Sequence, residues 1–242
     1  MFSFFKKSSL VSDISWLGID LHSHILPGID DGAKHIDDSL SYIYKLESLG
    51  FDKLFFTPHI LKDLYPNSRD TILPALQSVQ EKLDELVNPF PISAAAEYMI
   101  DDNFEIDDQL LCLPGNHILI EMSYLAESPN IEEVIFNLQI KGYKVILAHP
   151  ERYNFYHKDL HRYTKLKELG CLFQLNLLAV SGYYGKNVML IAKYLLEHHM
   201  YDLAATDLHH DKHMDILTKM VLSGKLHEKL GHYDFKNKQL FG

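Results

Sequence analysis

Seven short apolar runs, most of them separated by longer amphipathic stretches, constrain this chain more than any other feature of it. The runs are Gly18–Leu21, Lys53–Thr57, Ile92–Ala96, Ile118–Ile120, Val145–Ala148, Leu172–Leu175 and Leu203–Ala205. Helical spacing fills Asp37–Leu49, Arg69–Val87, Asn130–Ile140, Asp159–Leu169 and Asn187–His199 between them. Alternating extended and helical segments predict a parallel sheet, and at 242 residues a single domain whose strands close, or nearly close, into a barrel. Asp37 or Asp38 can cap the first helix, while Gly50, Gly142 and Gly170 stand just past helix ends, where a left-handed residue is wanted. The polar, acidic stretch Tyr98–Leu113 fits neither pattern and reads as a lid with little regular structure.

The chemically capable residues stand where those runs end. The first run leads into His22-Ser23-His24, the second into Thr57-Pro58-His59 and the third into Glu97. The fourth gives Glu121, the fifth His149, and the seventh Asp207 and His209. Strand C-termini form one face of a parallel barrel, so these groups are expected at a single mouth. Members of the pairs His22/His24 and Asp207/His209 are two residues apart, which on extended chain turns both side chains to one side. Taken singly, a His at a strand end is more often a hydrogen-bonded core or surface residue, and a Glu there a helix cap. Six of seven runs ending this way is harder to ascribe to packing. With Asp30 or Asp31 added, four carboxylates would lie together, and buried acids repel one another and lose solvation unless a cation joins them. Imidazole and carboxylate donors without thiolate suit manganese, iron, zinc or cobalt better than calcium or magnesium. Five histidines and four carboxylates exceed the roughly four to six ligands of one ion, so two or three ions are expected.

Composition excludes several other classes. A net charge of −10 argues against a nucleic-acid binder that works by phosphate neutralisation. No apolar run approaches the ~18 residues of a membrane span. The N-terminus places Lys6 and Lys7 after Phe2, Phe4 and Phe5, the reverse of a secretory signal. These residues are read as covering the barrel's bottom or as disordered, or as touching a membrane or a membrane-bound kinase, within a lead segment over residues 1–15. Two cysteines, Cys112 and Cys171, provide no disulfide framework, and a reducing cytoplasm is the expected setting.

The stretches Asp20-Leu21-His22-Ser23-His24-Ile25-Leu26-Pro27-Gly28-Ile29-Asp30-Asp31-Gly32, Thr57-Pro58-His59, Ala96-Glu97-Tyr98, Ile120-Glu121-Met122, Ala148-His149-Pro150-Glu151-Arg152-Tyr153 and Thr206-Asp207-Leu208-His209 occur in this order. In that order the chain resembles the polymerase-and-histidinol-phosphatase (PHP) family. Within it, the chain is similar to the bacterial manganese-dependent protein-tyrosine phosphatases of capsule and exopolysaccharide operons. The resemblance implies one PHP-type metallophosphatase domain over residues 1–242, an α/β fold built as a distorted seven-stranded (β/α)7 TIM-like barrel. It also implies a three-metal site. One ion would be held by His22, His24, Glu97 and Asp207; a second would share Glu97 and add Glu121 and His149; a third would use Asp31, His59 and His209. Asp30 is the alternative to Asp31, since sequence does not say which carboxylate turns inward. Arg152 is carried over as the phosphate-binding arginine. It is one of only three arginines, with Arg69 and Arg162, and its fork can grip two phosphate oxygens where a lysine cannot. Some relatives have a further arginine after the last motif; here that region reads His210-Asp211-Lys212-His213, where Lys212 can substitute as a point charge.

The implied reaction is hydrolysis of phosphotyrosine by a hydroxide bridging metal ions, manganese first and iron or zinc as alternatives. The implied protein substrate is a bacterial tyrosine kinase, and the setting is control of capsular or exopolysaccharide synthesis. Phosphate monoester hydrolysis needs accelerations up to ~10²¹, against the ~10²–10⁴ of one general base. Several ions do more, lowering the pKa of bound water from about 15.7 towards 7. A phenolate of pKa ~10 leaves without a strong acid, so His59 or His209 would donate a proton only if not committed to metal. Tyr65, Tyr98, Tyr124, Tyr183 and Tyr184 all follow strand ends and can line an aromatic slot, or equally pack their loops.

Rival readings are a histidinol-phosphatase-like enzyme with the same metal site and different loops, and an amidohydrolase, which would ask for an eighth strand and a bridging lysine. A PHP exonuclease would need a basic track. A cysteine-dependent phosphatase needs an arginine six residues after its cysteine, where Ile118 and Leu177 stand. Pro114-Gly115-Asn116-His117 resembles the GNHE turn of calcineurin-like phosphoesterases, but Ile118 replaces the acid.

Overall fold

The computed structural model describes residues 11–86 and 89–242; the segment of Phe2, Phe4, Phe5, Lys6 and Lys7 and the expected helix end at Val87 lie outside the described residues. In chain order the strands are β1 (Ile19–Asp20), β2 (Lys53–Phe56), β3 (His59–Ile60), β4 (Ile92–Ala94), β5 (Glu97–Met99), β6 (His117–Glu121), β7 (Lys144–Ala148), β8 (Leu172–Asn176) and β9 (Leu203–Ala205). All pair in parallel, as a three-stranded sheet β1-β2-β4 and a six-stranded sheet β3-β5-β6-β7-β8-β9. The helices are α1 (Ile36–Leu49), α2 (Arg69–Leu83), α3 (Ile131–Ile140), α4 (His161–Glu168), α5 (Lys186–Glu197), α6 (Asp211–Leu222), α7 (Lys225–Leu230) and α8 (Asn237–Phe241).

The expected seven strands closing into one ring are not what the hydrogen bonds draw among the described residues, because past the second and third runs the chain adds a further strand, β3 and β5, in the other sheet. At Thr57-Pro58 the chain leaves one sheet for the other. Thr57 N–H donates to the Ser23 carbonyl (2.8 Å), and Pro58, which has no N–H to continue the ladder, accepts from Glu97 N–H (3.1 Å). The third run makes the same transfer, with Ala95 N–H bonded to Phe56 (2.8 Å) and Ala96 N–H to Leu111 (3.1 Å). β1 and β9 share no ladder, but just beyond them Asp207 N–H donates to His22 (2.9 Å) and His24 N–H to Leu208 (2.8 Å).

Alternation sorts the strand side chains into two apolar clusters. Ile118, Ile120, Val145, Leu147, Phe173 and Leu175 belong to the larger, shared with the helices, while Leu119, Ile146, Ala148, Leu203 and Ala205 belong to the smaller. Strands buried on both faces are what a helix-covered parallel sheet requires. Glu121, two residues beyond Leu119 on β6, continues the smaller cluster's face toward the strand C-termini. At the opposite end Phe241 of α8 packs edge-on against Phe55 and His117 (5.9 and 5.2 Å between ring centres), so the C-terminal helix closes that side.

The N-cap of α1 is His35, not Asp37 or Asp38; Asp38 instead reaches back to accept His35 N–H (3.0 Å) from the third helical position. Gly50 ends α1 at φ 104°, its N–H donating to Glu47 and Leu46. Residues 100–112 hold only turns and bends. Tyr98 is buried, its hydroxyl accepting Leu111 N–H (2.6 Å), so it anchors this segment and does not line a slot.

Candidate metal centre

The strand ends turn their polar side chains toward one point. His22 Nε2 lies 3.1 Å from His24 Nε2, 3.3 Å from Glu97 Oε2 and 3.3 Å from Asp207 Oδ1. His24 Nε2 is in turn 3.3 Å from Glu97 Oε2 and 3.4 Å from Asp207 Oδ1. The opposite ring nitrogens fix the tautomers. Gln174 Nε2 donates to the Leu175 carbonyl (2.7 Å), so its Oε1 is the atom facing His22 Nδ1 (2.9 Å) and can only accept. His24 Nδ1 faces Asp30 Oδ2 (2.8 Å), also an acceptor. In its neutral form, the one a cation would require, each ring would carry its proton on Nδ1 and turn the Nε2 lone pair into the cluster, beside carboxylate oxygens.

The remaining groups complete the gathering. Glu97 reaches His149 Nε2 through Oε1 (3.1 Å) and His59 Nδ1 through Oε2 (3.1 Å), and Glu121 Oε1 is 2.9 Å from the same His59 nitrogen. Asp31 Oδ1 lies 3.5 Å from His59 Nε2 and 3.6 Å from His209 Nε2. All nine carried-over donors thus meet. Donor atoms lie within 4.8 Å of one another in His22/His24/Asp207, in His22/Glu97/His149, in His59/Glu97/Glu121 and in His24/Asp31/His59/His209. The two adjacent aspartates divide their roles. Asp30 is buried and holds His24 Nδ1, Gly32 N–H (2.9 Å) and His59 N–H (3.2 Å), whereas Asp31 is half exposed and faces the two outer imidazoles.

A cation fits this donor set. Glu97 Oε2, Glu121 Oε2 and His149 Nδ1 are buried with no hydrogen-bond partner. Burial opposes charge on Glu97 and Asp207, yet His22 and the surrounding imidazoles hold both carboxyls well below the usual range. Burial and the neighbouring His24 work against a proton on His59, but Glu121 and Glu97 outweigh them and raise it to about 10. In the protein alone, protons on imidazole do part of the work of positive ions. Two donors also sit on strained backbone: His149 (φ 34°) and Asp207 (φ 50°) are left-handed without being glycine.

Gly32 lets this turn close. A Cβ there would stand 1.6 Å from the His24 carbonyl oxygen and 2.8 Å from His24 Cβ. Gly32→Ala is expected to destabilise the protein by about 2 kcal/mol or more, since backbone must move. It should also displace His24. Urea denaturation and metal content measure the two effects, and wild-type values for both would show that the turn yields freely.

Arg152 borders the cluster. Its Nη1 donates to Asp207 Oδ2 (2.6 Å), and its guanidinium lies between the rings of Tyr124 (4.5 Å) and Tyr184 (4.4 Å). Tyr65 stacks on His59 (5.6 Å), and Lys212 Nζ sits over Tyr183 (5.1 Å), so four of the five tyrosines stand at the rim. Neither cysteine offers a thiolate, because burial pushes Cys112 up to about 11 and Cys171 up to about 12. Gln174, Asn176 and the supporting role of Asp30 have no counterpart among the residues expected from the sequence. Gln174 and Asn176 close the one run without a terminal His or acid, yet their two-residue spacing is the signal that singled out His22 and His24.

The geometry agrees with what the chain is similar to. Among curated proteins, the tyrosine-protein phosphatase YwqE of Bacillus subtilis is 29% identical over 208 residues, covering 84% of this chain and 82% of the relative. The tyrosine-protein phosphatase CpsB of Streptococcus pneumoniae is 26% identical over 200 residues, covering 79% and 82%. A crystal structure from work on YwqE and CpsB, described as metal-dependent tyrosine phosphatases, superposes with a TM-score of 0.79 at 27% identity, over 92% of this chain and 90% of the other. The lactonase Lmo2620 of Listeria monocytogenes, at 10% identity and a TM-score of 0.55, shares the fold alone. The model of the capsular polysaccharide synthesis family CpsB/CapC matches residues 18–229, and the chain belongs to that family.

Proposed function

We propose that this chain is a metal-dependent protein-tyrosine phosphatase. The observation that carries the reading is the set of imidazole and carboxylate lone pairs turned on one another beside Arg152, with the Nδ1 protons of His22 and His24 tied to acceptors. His22, His24, Asp31, His59, Glu97, Glu121, His149, Asp207 and His209 would hold two or three divalent ions, manganese suiting the nitrogen-and-oxygen donors, with iron or zinc as substitutes. Such ions supply Lewis-acid activation of water and neutralise phosphate charge.

The chain's own groups do the rest. Arg152, held by Asp207 and two tyrosine rings, presents its guanidinium to the phosphate. Tyr65, Tyr124 and Tyr184 narrow the approach to a flat ring. An aryl leaving group of pKa ~10 needs little protonation, and His59 or His209 would donate a proton only if not committed to metal. We read the two sheets as parts of one distorted seven-unit PHP barrel in a single domain, supported by the bonds joining the segments just after β1 and just after β9. Among the described residues no helix is long and apolar enough to cross a membrane. We read the setting as cytoplasmic and the substrate as a tyrosine kinase of capsule or exopolysaccharide synthesis, a reading the family match supports.

Side-by-side turnover of a phosphotyrosine peptide, a phosphoserine peptide and histidinol phosphate tests the assignment. Phosphotyrosine is expected to be fastest, and preference for histidinol phosphate would replace the substrate while keeping the site. Arg152→Ala should lower kcat/KM by about tenfold to a hundredfold, the effect of losing charge-assisted hydrogen bonds. Metal content should stay at the wild-type level. Loss of metal instead would make Arg152 structural.

A further inference from the structure

We infer that Asn176 is a positioning residue for Arg152, setting through one carboxamide both the carboxylate that Arg152 pairs with and the ring on which it stacks. The inference rests on reading Arg152 as the phosphate ligand. Asn176 ends β8 and is fully buried. Its Oδ1 accepts Leu178 N–H (2.8 Å), so the other end of the amide must be the NH2 group. That group has two hydrogens and two partners, Asp207 Oδ2 at 2.9 Å and the Tyr184 hydroxyl at 3.1 Å.

Each partner touches Arg152. Asp207 Oδ2 also accepts Arg152 Nη1 (2.6 Å), and the Tyr184 ring lies under the guanidinium at 4.4 Å. Asp207 is thereby split: Oδ2 serves Asn176 and Arg152, while Oδ1 faces His22, His24 and His209 at 3.3, 3.4 and 3.4 Å. Asn176 itself cannot drift. Its N–H donates to Glu151 Oε1 (2.8 Å), and Glu151 Oε2 accepts the Tyr201 hydroxyl (2.8 Å), both acid and hydroxyl being buried. Glu151 precedes Arg152 in the chain, so the network grips the arginine's backbone as well as its head. An aspartate at 176 would keep the acceptor for Leu178 but turn oxygen, not N–H, toward Asp207.

The test compares Asn176→Ala, Asn176→Asp, Arg152→Ala and the double variant Asn176→Ala/Arg152→Ala, each with metal content measured. Competitive inhibition by inorganic phosphate reads the anion site without chemistry. Asn176→Ala is expected to raise the phosphate inhibition constant and the KM for p-nitrophenyl phosphate together, by on the order of tenfold, with kcat changed less than either and metal retained. Asn176→Asp should be worse. In the double variant the inhibition constant should match that of Arg152→Ala alone, because the effect passes through the arginine. Multiplying effects, unchanged phosphate inhibition in Asn176→Ala, or a loss confined to metal content would each overturn the inference. If Arg152→Ala leaves phosphate inhibition unchanged, the phosphate-ligand reading falls first and takes the inference with it. Should the Asn176 variants not fold, Tyr184→Phe removes only the hydroxyl partner. A rise of about twofold to fivefold in the phosphate inhibition constant is then expected, and no rise sinks the proposal.

Discussion

Glu97→Gln is expected to lower turnover of p-nitrophenyl phosphate by about 10³-fold or more, beyond the effect of deleting one electrostatic donor from a preorganised site. Glu97 reaches four of the other donors, as Asp207 does, but more closely. Its Oε1 meets His149, and its Oε2 meets His22, His24 and His59, all within 3.3 Å. The carboxylate is fully buried, and Oε2 has no hydrogen-bond partner. Glutamine is nearly isosteric, so packing is preserved while one oxygen becomes NH2. Either orientation of the amide is wrong for a cation: the NH2 faces His149 in one and the His22/His24/His59 side in the other. Metal content should fall with activity. A variant keeping more than about a tenth of wild-type turnover at full metal content would mean that Glu97 is a buried counter-charge for histidines and not a ligand, since a lost electrostatic donor alone is worth ~10²–10³. Glu81, exposed on α2, makes the matched control, and Glu81→Gln should be silent.

How much of this was legible in the sequence depends on whether a residue acts by position or by partner. The donors were legible because each follows a short apolar run, and strand C-termini in parallel sheets share one face; spacing paired His22 with His24 and Asp207 with His209, although Asp207 is left-handed and not extended. The further strand in the other sheet past the second and third runs was not legible. Pro58 is a visible reason for the first break, but Ala95-Ala96 carries no local signal, and its transfer depends on Phe56 and Leu111 across the sheet. Hydrophobic spacing does not reveal such pairing. α6, α7 and α8 carry no such mark, since no strand-like run follows them to punctuate the chain. The choice between Asp30 and Asp31 was undecidable for a different reason: it turns on the approach of Gly32 to His24, a contact made by backbone. Gln174 and Asn176 carry neither the imidazole nor the carboxylate that marks the other strand ends. Their work is orientation, which only a hydrogen-bond partner discloses.

Stripping the protein of metal with a chelator is expected to lower its Tm substantially, and manganese to restore it. A ligand that binds only the folded state, at 1,000 times its dissociation constant, contributes about 4.1 kcal/mol. For a chain of this size each kcal/mol moves Tm by about 2–4 °C, so a single tight ion is worth about 8–16 °C. Buried carboxylates and lone pairs that face one another make the metal-free cluster a source of instability, hence a lower bound rather than an upper one. The shift should be larger with manganese than with magnesium at equal concentration, because five of the nine donors are imidazole nitrogens and magnesium prefers oxygen. Variants separate binding from catalysis in the same measurement. Arg152→Ala should keep the manganese-induced shift while losing activity, and Glu97→Gln should lose most of both. An identical Tm with and without manganese in the wild-type protein would mean that the cluster is satisfied by protons alone. The outward-facing His59 and His209 would then be ordinary rim histidines, and the hydrolytic reading would lose its physical basis.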